Sequence, residues 1–133
     1  MIEKTISNTH YDLGYDLDAN RLYLRIKGFW KRPEDVPNFV TDVTDIGERL
    51  QPGFTVLSDV RTMKTPPVEL NPVHEAAQKA LTSRGLSRTA EIWTQKDTVL
   101  RSVTEKIASQ SGMRRKEFNT MKEAEAWLDV PEN

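Results

Sequence analysis

Regular patterning begins at Tyr11, Leu13 and Tyr15, which alternate with Asp12, Gly14 and Asp16, the period-two signature of a half-buried strand. Turn-forming Asp18-Ala19-Asn20 follows, and Leu22, Leu24 and Ile26 then alternate with Tyr23, Arg25 and Lys27. The two runs predict a β-hairpin, closed by Gly28-Phe29-Trp30. A helix is predicted to begin between Pro33 and Pro37, because proline is tolerated in a first turn where its missing N–H is no loss. Val36, Phe39, Val40, Val43, Ile46 and Leu50 recur at three and four residues and give that helix one apolar stripe. Pro52-Gly53 stops it.

The run from Phe54 to Val60 is β-rich and too short for a typical helix, so it predicts a strand. A loop from Arg61 to Leu70 follows, carrying Pro66-Pro67, and Asn71-Pro72 reads as N-cap and first position of a second helix ending near Gly85. Its buried face is predicted at Val73, Ala76, Ala77, Ala80 and Leu81. Leu86 to Trp93 is the next strand. Thr94 or Asp97 would cap a third helix with Val99, Leu100, Val103 and Ile107 on one stripe and Gly112 beyond its end. Arg114 to Phe118 reads as a short strand. A final helix carries Ala124, Trp127 and Leu128, started by Asn119 or by the capping-box spacing of Thr120 and Glu123.

Strands joined through helices favour parallel pairing with right-handed crossovers. The order therefore predicts one α/β domain over residues 1–133, with a five-stranded, mostly parallel sheet, an N-terminal β-hairpin and four helices. Parallel strands covered on both faces read as continuous apolar runs, whereas here Tyr23, Arg25 and Lys27 share one side of their strand and Thr89, Glu91 and Trp93 share one side of theirs. That alternation predicts helices gathered on one face and a second face left to water or to a partner.

Composition narrows the function. Leu, Ile, Val and Phe make up 31 of 133 residues, enough for a core, and no apolar run approaches the ~18 residues of a membrane span. Cysteine is absent, which removes disulfides, thiolate nucleophiles and every Cys-based metal site. The net charge of -1 lacks the positive field of a generalist nucleic-acid binder. The reading is a cytoplasmic protein that binds no nucleic acid. Residues 76–119 nevertheless hold nine Lys/Arg against four acids, densest at Arg114-Arg115-Lys116, which reads as a solvated edge strand whose cations discourage strand addition.

Screens for chemistry return little. No glycine spacing matches the common phosphate-cradling loops. His74-Glu75-Ala76-Ala77-Gln78 nearly spells the zinc helix motif, but Gln78 replaces the second histidine, so neither a metal nor a cofactor is expected. Ser58, Asp59 and His74 are the residue types of a hydrolytic triad without the glycine-flanked elbow that would hold the serine, and no enzyme is expected. The remaining constellation lies at strand ends. Trp30, Asp59, Arg61 and Trp93, with Thr62 and Lys64, are predicted at the carboxyl rim of the parallel strands, where open α/β sheets bind ligands. The competing reading places both tryptophans over the core and pairs Asp59 with Arg61.

Several strings together resemble the SpoIIAA-like STAS family. They are Lys27-Gly28-Phe29-Trp30, Val56-Leu57-Ser58-Asp59-Val60-Arg61, Thr89-Ala90-Glu91-Ile92-Trp93, and Phe118 followed by Ala124-Glu125-Ala126-Trp127-Leu128. The resemblance spans about residues 11–128 and implies a β/α superhelix related to anti-sigma-factor antagonists and CRAL-TRIO lipid-binding domains. It implies a non-catalytic regulatory or protein-interaction module, or alternatively a carrier of a small apolar ligand or lipid, for which the rim is the candidate site; the alternating strands add the expectation of a homodimer. Phospho-switched relatives carry a serine-glycine turn after the third strand. Asp59-Val60-Arg61-Thr62-Met63 stands in that place here, so Thr62, or Ser58 inside the strand, are the only hydroxyls the comparison offers for phosphorylation.

Overall fold

Six strands pair in sequence order in the computed structural model, which describes residues 2–93 and 98–131. They are β1 (Glu3–Ser7), β2 (Tyr11–Asp16), β3 (Arg21–Gly28), β4 (Thr55–Met63), β5 (Arg88–Ile92) and β6 (Arg115–Phe118). The helices are α1 (Phe39–Arg49), α2 (Asn71–Ser83), α3 (Thr98–Ser111) and α4 (Met121–Asp129). β1 pairs with β2 and β2 with β3 antiparallel, and β3 to β6 are parallel.

The predicted hairpin forms in the register that its alternation requires, with Tyr11 opposite Ile26, Leu13 opposite Leu24 and Tyr15 opposite Leu22. Asn20 takes the left-handed conformation at its turn, at φ 54°. Tyr11, Leu13, Leu22 and Ile26 then meet Val56 and Val60 of β4, and α1 and α2 close over them with Phe39, Val43, Ile46, Ala77 and Leu81. The Tyr11 hydroxyl donates to Asp42 Oδ2 at 2.6 Å, tying β2 to α1. Right-handed crossovers between parallel strands taken in order place α1, α2 and α3 on one face.

The opposite face is not bare, and here the one-sided expectation is corrected. Helix α4 crosses to the other side, where Ala124 and Leu128 pack on Leu57, Ala90 and Ile92. These alternate with Val56, Ser58 and Thr89, which face the three-helix side. The handedness rule governs a helix lying between two parallel strands; α4 follows the last strand and is released from it. It covers the parallel half of that face and leaves the antiparallel half, β1 to β3, open.

Three smaller corrections follow. The sheet has six strands, not five: β1 holds one apolar residue, Ile6, and is fixed by backbone pairing at an edge, so it shows no alternation. Strand β4 runs to Met63, three residues past its expected end, because a register shift lets Thr62 and Met63 keep pairing with Lys27 and Gly28. The expected long loop thereby shrinks to residues 64–67 before a short turn at Val68–Leu70. Arg115 is not a solvated edge cation: it is mostly buried and donates to Glu91 and Glu117. Residues 94–97, where the third helix was expected to be capped, lie outside the described residues.

Candidate functional site

The open half-sheet is a charged surface over an apolar hollow. Pairing brings Arg25 of β3 opposite Asp59 of β4, and Asp12 of β2 opposite Arg25. Arg61 donates from Nε and a terminal nitrogen to the two Asp59 oxygens at 2.9 and 2.7 Å, and Arg25 Nε donates to Asp59 Oδ2 at 3.2 Å. Burial pushes the Asp59 carboxyl up, but the Arg61 hydrogen bonds and the two neighbouring guanidinium charges outweigh it and hold the group below its ordinary range. Lys27 Nζ donates to Asp12 Oδ1 at 3.0 Å, and Ser7 Oγ donates to the same oxygen at 2.6 Å. The Ser7 bond and the ammonium also lower the Asp12 pKa.

Asp59 is the anchor of this group. Its side chain is 6% exposed, against 49% for Arg25 and 35% for Arg61. Both guanidinium groups thus keep surface to offer a partner while one buried carboxylate orients them. Beside them lies a hollow of about 170 Å³, lined by Ile2, Lys4, Gly14, Tyr23, Leu57 and Met121. Gly14 makes room at its edge: a Cβ there would sit 2.7 Å from the Glu3 carbonyl oxygen. The Tyr23 hydroxyl donates to Glu125 of α4 at 3.1 Å, joining the hollow to the helix beside it.

A second, interior cavity of about 70 Å³ lies between the sheet and α1–α3. Ser58, His74, Gln78, Thr89, Glu91 and Thr104 interrupt its otherwise apolar wall. His74 stacks on Trp30, with ring centroids 5.1 Å apart and planes 9° from parallel. Burial depresses the His74 pKa to about 4, so the imidazole is neutral near pH 7.

The six residues expected at one rim are divided between the two sides of the sheet. Trp30 and Trp93 are 2% and 3% exposed and belong to the core on the α1–α3 side. Trp30 Nε1 donates to the His10 carbonyl at 3.0 Å, and Trp93 Nε1 donates to Glu91 Oε1 at 3.2 Å. Asp59 and Arg61 face the other side. Thr62 is exposed and donates to the Ile26 carbonyl, and Lys64 is exposed with its backbone N–H donating to the Gly28 carbonyl. Ser58 is buried at 7% in the interior cavity, with its side chain on the sheet face opposite to that of Asp59. Among the described residues no three His, Asp or Glu side chains gather as a metal set.

Arg25, Lys27, Asp12, Lys4, Tyr23 and Met121 were not among the expected site residues. The polar alternation of β3 was visible, but its meeting with Asp59 depends on parallel pairing across some thirty intervening residues.

No protein-family model and no curated protein matches the chain. Among solved structures, it is similar to the crystal structure of an uncharacterized DUF3478-family protein with a SpoIIAA-like fold from Shewanella loihica PV-4. The two share 14% sequence identity with a TM-score of 0.54, over 96% of this chain and 92% of that one. At that identity the likeness is one of fold: this chain has a SpoIIAA-like α/β fold.

Proposed function

We propose that the chain is a non-catalytic regulatory or protein-interaction module that binds an acidic, partly apolar segment of a protein partner on the open half-sheet. The observation that carries the reading is the pairing of half-exposed Arg25 and Arg61 on buried Asp59 beside the 170 Å³ apolar hollow. Lys4, Arg25, Lys27 and Arg61 outnumber the carboxylates of Asp12, Asp59 and Glu125, so the patch carries one surplus positive charge. A partner carboxylate can add to a guanidinium already held in place, and an apolar side chain beside it can fill the hollow. Such complementarity favours fast, salt-sensitive association.

The test is fluorescence anisotropy with a labelled peptide of alternating Glu and Leu. Binding is expected to weaken as salt rises and to fall at least tenfold in the Arg25→Glu, Arg61→Glu double variant, while a matched Lys-Leu peptide stays unbound. Equal binding of both peptides, or indifference to the charge reversal, would sink the proposal.

A lipid carrier acting at the tryptophan rim has less support. Both indoles are buried, and the interior cavity on their side of the sheet is about half the ~150 Å³ that holds one benzene, too small for an acyl chain.

A further inference from the structure

Strand register sets two short rows side by side on the open half-sheet. Gly14, Tyr23 and Leu57 stand opposite one another across β2, β3 and β4, and Asp12, Arg25 and Asp59 do the same two residues away along each strand. The first row, with Ile2 and Met121, walls the hollow of about 170 Å³, and the second borders it. Two residues along a strand span about 6.6 Å, so an apolar floor and a line of charge lie within the length of one small molecule. The charges are not equivalent. Asp59 receives Arg61 on both of its oxygens, and Asp12 receives Lys27 and Ser7 on one of its own. Each of these carboxylates thus has a cation that lies outside the lining of the hollow. Arg25 spends only Nε on Asp59, and among the described residues its two terminal nitrogens, the fork that grips a carboxylate end-on, make no hydrogen bond. Lys4 adds a second cation to the lining. The charges left for a guest are therefore positive.

We infer that the hollow is a binding site for a small free monocarboxylic acid, whose ring or branched alkyl body lies against Tyr23 and Leu57 and whose carboxylate is held by the terminal nitrogens of Arg25. The body follows from size and wall. The hollow slightly exceeds the ~150 Å³ that holds one benzene, and Ile2, Tyr23, Leu57 and Met121 supply aliphatic, aromatic and thioether contacts. The single charge follows from the one surplus positive charge of the patch. A phosphomonoester would bring about -1.5 to -2 and leave negative charge uncompensated beside Asp12 and Asp59. The spacing of the two rows sets the carboxylate about two methylenes from the body. This acid would share Arg25 with the acidic segment proposed above, but its binding does not depend on that segment.

3-Phenylpropanoate is the probe, with 3-phenylpropan-1-ol as the same body without the charge and propanoate as the charge without the body. In NMR titrations of the intact protein, the probe is expected to shift the Tyr23 ring and Met121 methyl signals saturably, with a Kd of about a millimolar or below. Each control is expected to bind at least about tenfold more weakly, and Arg25→Gln to weaken the probe by a similar factor while Asp59 keeps its Arg61 bonds. The controls on the wild-type chain decide the matter even if that variant folds poorly. Equal binding of either control, unchanged affinity in Arg25→Gln, or shifts confined to His74 across the sheet would each overturn the assignment. So would about tenfold tighter binding of the peptide Gly-Ser-Gly-Phe, which offers the same carboxylate and ring on a chain end and would give the hollow to a partner's terminus. The Glu-Leu peptide has no part in these titrations, so the acid site and the acidic-segment reading can fail separately.

Discussion

Two side chains set the chemistry at the residue scale. His74 has a folded pKa near 4 against 6.5 for the free side chain, because burial penalises the imidazolium. The fold therefore binds fewer protons than the unfolded chain between these values. Stability from the neutral ring is complete above about pH 6.5 and is lost as pH falls toward 4, by roughly 3 kcal/mol in all. Urea unfolding at about pH 7.5 and pH 5 should show a loss near 2 kcal/mol from this group, and His74→Phe, which keeps a ring against Trp30, should flatten that difference. Asp59 behaves in the opposite sense: its lowered folded pKa adds stability that is present above the ordinary carboxylate range and lost only as pH falls through the folded value. Because Arg25 and Arg61 are both half-exposed, removing either alone should cost under about 1 kcal/mol. Removing both strands a buried carboxylate, and the expected loss of ~3 kcal/mol should be largely recovered by adding Asp59→Asn. Additive, small losses in that series would mean Asp59 is solvated after all.

At the scale of elements, β1 and α4 decide how much of the second face is open. β1 depends on close backbone approach at Gly14, where a methyl group would meet the Glu3 carbonyl oxygen. Gly14→Ala is expected to detach β1 and raise hydrogen exchange at Lys4 and Ile6 by an order of magnitude or more, with β3 to β5 still protected. Unchanged exchange would show that the strand can shift to accept the methyl. Helix α4 is held by a capping bond, in which the Glu123 N–H donates to Thr120 Oγ1, and by Leu128, 4% exposed against Leu57, Ala90 and Ile92. Leu128→Ala should cost about 2–4 kcal/mol, read from the denaturant midpoint, since the wall around it is mostly sheet and cannot collapse far. Arg88 reinforces the same dock, stacking 4.7 Å over Trp127 and donating to the carbonyls of Leu128 and Val130 at the end of the helix.

For the whole molecule, the sheet separates two places of unlike character, a charged surface on one side and a mostly apolar cavity on the other. We also propose that the chain pairs as a homodimer through β1. That edge strand is largely exposed, and Ile2, 51% exposed, adjoins it. Light scattering after size exclusion should give about twice the 15.3 kDa chain mass, and Gly14→Ala, by loosening β1, should return it to the monomer. A monomer at every concentration would remove the homodimer while leaving the acidic-peptide reading intact. No helix among the described residues is long and apolar enough to cross a membrane.

Local periodicity was sufficient for the presence of the hairpin, the four helices and the parallel strands, because alternation and the three-to-four repeat report which side of an element is buried: Leu22, Leu24 and Ile26 in β3, and Val43 and Ile46 in α1, point where their spacing says, whereas the face of α2 is turned so that His74 is buried and Ala76 exposed. It could also restrict the chemistry, since no cysteine or phosphate loop can be supplied by folding. Tertiary structure alone decided the rest. β1 has no side-chain rhythm to read, and α4 has the same kind of stripe whichever face it docks on. The Asp59 cluster and the cavity of His74 and Thr89 are each built from strands or helices distant along the chain, brought together by register and crossover. An amphipathic pattern states that a face is buried, and only the packed sheet states against what.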